Sequence, residues 1–142
     1  MDDPFDLKRF VQAQDAGHTY DRVLEELRRG RKTSHWMWFV FPQIAGLGHS
    51  ATSRTYAITS LEEARAYLGH DVLGPRLIEC AGLVAGATKG RTAEQIFGSV
   101  DAQKLHSSMT LFMRTKPDEP LFAQVLDRYF DGRPDGATDR RT

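Results

Sequence analysis

Residues 31–48, RKTSHWMWFVFPQIAGLG, constrain this chain more than any other stretch. They hold both tryptophans, Trp36 and Trp38, with Phe39, Phe41 and His35, behind Arg31 and Lys32 and ahead of a glycine-rich loop. Trp and Phe bury large areas, and a buried indole N–H needs an acceptor. The apolar run 36–41 points all round a helix or to both faces of a strand. At least one large ring therefore lies off the core-facing side, and the segment is the centre of a small core, the wall of a pocket, or both. The run fits a buried strand or a buried helical turn. Ser34 as a cap favours a short helix, and Pro42 ends it in either case.

Elsewhere the spacing is helical. Asp3 before Pro4 reads as an N-cap with proline in the first turn, and Leu7, Phe10, Val11 and Gln14 then share a face. Tyr20, Val23, Leu24 and Leu27 repeat the pattern, with Gly30 as the stop. Ser60 with Glu63 and Thr92 with Gln95 match capping boxes. Residues 72–87 are the most apolar helix candidate. Ser99 is placed to cap a helix with Leu105, Ser108, Met109 and Phe112 on one face, and Leu121, Phe122, Val125, Leu126 and Tyr129 give a last amphipathic helix. No alternating strand pattern with hairpin turns occurs. The expected fold is mainly α: one compact bundle of about seven to nine short helices over residues 3–130. The polar segment 131–142, DGRPDGATDRRT, is expected to be a flexible tail.

A chain of 142 residues has room for one ordinary core. Lys plus Arg equals Asp plus Glu at 19 each, so the net charge is zero with histidine neutral, which argues against a general nucleic-acid binder. The basic cluster Arg28, Arg29, Arg31 and Lys32 is short and suits the end of a helix as well. The N-terminal MDDPFDLKRF is acidic and lacks an apolar signal region, and no apolar run approaches membrane-spanning length. A cytoplasmic protein without membrane attachment is the simplest expectation. Cys80 is the only cysteine, so no intrachain disulfide and no thiolate metal cluster is available. The five histidines are scattered, and neither a metal nor a cofactor is expected.

Three segments carry candidate chemistry. In the first, Trp36, Trp38 and Phe39 wall a pocket for a planar ligand, with His35 and Arg31 beside them. In the second, Asp101, Lys104 and Ser108 fall on one helical stripe with Ser107 adjacent. Lys104 either pairs with Asp101 at the surface or anchors a phosphate or carboxylate as a point charge. His106, two positions from Ser108, points elsewhere on a helix, so a Ser–His pair within the segment is rejected. In the third, the loop 46–56, GLGHSATSRTY, is either a plain cap or an anion-binding turn with Arg54 close behind. It holds no Walker or dinucleotide pattern. Glu79 stands out in the apolar helix as a carboxylate near a core, although the polar edge of that helix is the simpler place for it.

The strings DPFDLKRFVQAQ, LxELRxGRKxSHWMWFxFPQ, LGPRLxEC, IFGSxDAxKLxSSMTLF and FxxVLDxYFxG resemble one bacterial family of unknown function over roughly residues 3–133. Some of its members carry the label calpastatin, which does not suit a chain without disordered, repetitive inhibitor character. The resemblance implies a small, mostly helical single domain and supplies no activity. The order of the DxxKLxSSMTLF and FxxVLDxYFxG segments is also similar in layout to the NADAR-type glycosidases, which act on ADP-ribose-linked or riboside substrates; likeness of layout does not establish function.

Together these readings lead to a pocket for a nucleotide-like or ribose-phosphate ligand, in an enzyme or a sensor. Trp36, Trp38 and Phe39 form its wall, Arg31, His35 and Arg54 supply charge, and Lys104, Ser107 and Ser108 line the opposite side. An N-glycosidase of NAD- or ADP-ribose-derived compounds needs a carboxylate near the sugar, for which Asp101 and Glu79 are candidates alongside His35. The alternative is a non-catalytic module that docks a partner protein through segment 36–41.

Overall fold

The computed structural model describes residues 3–87 and 90–142. Ten α-helices and one 3₁₀ turn occur among the described residues, and no strand beyond a single bridge. In chain order they are α1 (Lys8–Asp15), the 3₁₀ turn (Ala16–His18), α2 (Thr19–Arg29), α3 (Met37–Val40), α4 (Ala51–Thr55), α5 (Leu61–Gly69), α6 (Leu73–Ala85), α7 (Ala93–Phe97), α8 (Ser99–Thr115), α9 (Pro120–Phe130) and α10 (Gly136–Arg141). The fold is mainly α, as the periodicity requires. No helix among the described residues is long and apolar enough to cross a membrane.

The caps explain many of the boundaries. Asp3 accepts from the backbone N–H groups of Leu7 and Lys8, but Asp6 turns into the left-handed region at φ 52°, so α1 starts later than the Asp3–Pro4 pair suggests. Gly30, at φ 72°, closes α2 and returns its N–H to Glu26 and Leu27. Thr92 and Gln95 form the full reciprocal capping box. Ser60 caps α5 by accepting from the N–H of Glu63, but the Glu63 carboxylate turns to Thr59 and Arg9 instead of closing a box. Ser99 caps nothing: Gly98 occupies the cap position, and Ser99 is the first residue of α8.

Helix α8 is the centre of the bundle. It packs on α5, α7, α9 and α10, and where a helix is covered on every side it has no solvent stripe to keep polar. That is why residues 107–112, three of them hydroxyl-bearing, are all buried. Leu105, Met109 and Phe112 join Leu77, Phe122, Val125 and Leu126 in one core with Phe10, Tyr67, Trp36 and Phe41.

The expected flexible tail is instead structured. Asp135 caps α10 by accepting from the N–H and the hydroxyl of Thr138, and its own N–H donates to Thr110 Oγ1 at 2.8 Å. Asp135 and Thr138 are buried against α8, and Arg114 grips Asp139 with both ends of its fork at 3.0 Å. Glycine and proline content misleads here because polar side chains, not apolar ones, fix the segment.

Candidate functional site

The aromatic segment divides between core and surface. Helix α3 is a single turn, and Trp36, Met37, Val40 and Phe41 face inward. Trp36 is 1% exposed, and its Nε1–H donates to Glu26 Oε1 at 3.0 Å. The same carboxylate accepts from the N–H groups of Thr33 and Ser34 and from the Ser34 hydroxyl. Burial pushes the Glu26 carboxyl up, but the hydrogen bonds from Ser34, Thr33 and Trp36 outweigh it and hold the group down at about 2. Trp36 is thus a structural anchor and not a pocket wall.

Trp38 faces the other way, half-buried, and separates two depressions. On one side it joins Gln43, Leu47, Gly48, Ser53 and Arg54 around a cavity of about 170 Å³. On the other it joins Val100, Gln103, Lys104, Ser107 and Asp135 along a groove of about 460 Å³. The loop between α3 and α4 shapes both. It is pinned by the Ile44–Ile58 bridge, in which the Ala45 N–H donates to Ile58 O at 2.8 Å and the Ile58 N–H to Gln43 O at 2.9 Å. Gly48 lets the loop pass the start of α4, since a Cβ there would stand 2.8 Å from that of Ser53.

One acid and two lysines tie the rings together. Lys104 Nζ lies 3.9 Å over the Trp38 ring and 3.0 Å from Asp101 Oδ1. Lys32 Nζ lies 5.0 Å over the Trp36 ring and 2.7 Å from Asp101 Oδ2. Burial pushes Asp101 up, and the hydrogen bonds from Lys32 and Lys104 more than reverse it, leaving the carboxyl below the usual range. An ionised acid held between two ammonium groups is a poor proton donor, so Asp101 serves to orient both lysines. The Lys32 side chain is only 6% exposed, which takes it out of any basic surface cluster.

The groove's own carboxylate is Asp135, 7% exposed. Its Oδ2 lies 3.2 Å from Ser107 Oγ and 2.6 Å from Thr138 Oγ1, and its Oδ1 accepts from Gln103 Nε2 at 3.3 Å. No cation pairs with it among the described residues.

Of the residues singled out from the sequence, the structure gathers Trp38, Lys104, Ser107 and Arg54 around the groove and the adjoining cavity, with Asp101 behind Lys104. Arg31 and His35 are exposed and line neither depression. Phe39 packs on Tyr56 at 5.4 Å. Ser108 is fully buried, with its hydroxyl unpartnered among the described residues. Glu79 is exposed on α6, where it accepts from the Tyr20 hydroxyl at 2.6 Å, away from the groove. Sequence reasoning missed Asp135 and Gln103. The signal for Asp135 is an N-cap aspartate with threonine three positions on, masked by the glycine and proline around it. Among the described residues no three His, Cys, Asp or Glu side chains come together to hold a metal ion.

Comparison with known proteins places the chain without assigning a task. It matches, over residues 4–142, the family described as "Protein of unknown function (DUF1810)". The crystal structure of the conserved hypothetical protein Rv1873 from Mycobacterium tuberculosis is similar, with a TM-score of 0.93 and 56% sequence identity over 97% of this chain and 96% of that one. No curated protein matches.

Proposed function

The chain belongs to the DUF1810 family, and we propose that its groove beside Trp38 binds a small ligand of the nucleotide or ribose-phosphate class. The observation that carries this reading is the convergence on one indole. The Lys104 ammonium sits 3.9 Å from the Trp38 ring centre, and Gln43, Gln103, Ser107 and Asp135 line the same groove. A mostly apolar wall with a few fixed polar groups is the usual make-up of a small-ligand site. The carboxylate and the two amides suit sugar hydroxyls, the ammonium suits an anion, and the indole and Val100 suit a flat or apolar part. Val100 is 69% exposed on the groove rim and stands alone among the described large hydrophobic residues in being so open.

Binding is favoured over hydrolysis. A glycosidase of the paired-carboxylate kind needs two carboxyl groups facing the sugar, and the residues lining the groove and the cavity include one, Asp135. If ADP-ribose or NAD is turned over, Asp135 is the first residue to replace, ahead of Asp101 or Glu79. The protein-docking alternative loses most of its surface, because four of the six residues in segment 36–41 are in the core.

The test is thermal unfolding with NAD, ADP-ribose, ribose 5-phosphate and nucleotides, with and without divalent metal. A ligand at 100 times its Kd adds about 2.7 kcal/mol, a clear rise in midpoint that Lys104→Ala abolishes. A folded protein whose midpoint none of these compounds moves contradicts the reading.

A further inference from the structure

Beyond Leu47 and Ala137 the groove continues into a third, open chamber of about 570 Å³ between the Gly46–Leu47 stretch and α10, also lined by His49, Arg140 and Arg141. The whole chain is neutral, yet every ionisable side chain lining this chamber is basic. Arg54 reaches the same loop, donating from Nη1 to the His49 carbonyl at 2.6 Å. Among the described residues neither Arg54, Arg140 nor Arg141 is paired with a carboxylate, while Asp139, the acid of α10, is taken by Arg114. Cations suit the last turn of a helix, but that does not account for where Arg141 goes. Its guanidinium folds back over Gly46, into the place a Cβ would occupy, and Gly46 adopts φ +95°. A bare backbone and a planar fork of donors here leave a concave basic surface, and guanidinium forks match phosphate oxygens two at a time.

We infer that this chamber is a phosphate site, with Arg140 and Arg141 as its principal donors, and that it takes the phosphoryl end of the ligand whose remaining part lies against Trp38. The second half of this statement rests on the groove reading above; the first half does not. Both arginines line this depression, so a diphosphate-bearing ligand offers phosphate oxygens to each of them.

Two fragments separate the halves. Inorganic pyrophosphate and adenosine are titrated by calorimetry into the wild-type protein and into the Arg140→Gln, Arg141→Gln double variant, at fixed ionic strength. Circular dichroism and the unfolding midpoint confirm that the variant is folded. The expected result is pyrophosphate binding that weakens at least tenfold in the double variant while adenosine binding stays unchanged. Pyrophosphate that fails to bind the wild type, or binds both proteins equally, overturns the phosphate site. Pyrophosphate that depends on the arginines while adenosine binds neither protein supports the phosphate site and overturns the groove reading alone.

Discussion

Trp36 and Trp38 stand two residues apart on one helical turn, each with a lysine ammonium over its ring, and both lysines end on Asp101. Their surroundings are otherwise opposite. The Trp36 indole N–H has a dedicated acceptor in Glu26, whose carboxylate also satisfies two backbone donors and a hydroxyl. Phe41 and Phe97 close around that ring at 6.2 and 6.5 Å. The Trp38 indole N–H has no such acceptor among the described residues, and the ring borders open space on two sides. The difference teaches that the aromatic run is one element with two jobs. Its inward half anchors the loop after α2, and that anchoring fixes the outward half at the edge of a groove.

Three substitutions probe the contrast, in falling order of effect on stability. Trp36→Ala removes a fully buried ring and is expected to cost about 3–5 kcal/mol, read as a large loss in the denaturant midpoint. Glu26→Gln comes next. The fall of this carboxyl from an ordinary 4.5 to about 2 corresponds to about 3 kcal/mol. A depressed carboxyl stabilises the fold above its unfolded value and ceases to do so as it is protonated. Wild-type stability should therefore drop as pH falls from about 4.5 toward 2, and the variant should be less stable at neutral pH with a flatter curve across that window. Trp38→Ala, at a half-buried wall, is expected to cost about 1–2 kcal/mol while abolishing ligand-induced stabilisation. Equal losses of stability from the two alanine substitutions would break the comparison.

Much of the fold is legible in the sequence, because caps and apolar spacing are local. Thr19–Arg29 ends at Gly30, and Ser60 and Thr92 cap helices. The site is less legible, because its parts meet only through tertiary contacts. Helical spacing groups Lys104 with Asp101 and Ser108, but Ser108 lies in the core and Ser107 takes its place in the groove; nothing local distinguishes Trp38 from Trp36, and their roles are decided by Glu26 and by the depressions on either side of Trp38. Asp101 looks like an acid–base group until Lys32 arrives from a distant loop. Asp135 is hard to see because glycine and proline nearby suggest disorder, whereas a buried polar network with Ser107, Thr110 and Thr138 orders it.

The most direct measurement of the central claim uses the two indoles as reporters. Trp36→Phe leaves Trp38 as the only indole and Trp38→Phe leaves Trp36, and each folded variant is titrated with ADP-ribose while its fluorescence is followed. The account predicts a saturable change in the protein that keeps Trp38 and none in the protein that keeps Trp36. A saturable change in the protein that keeps Trp36, or none in either, would contradict it.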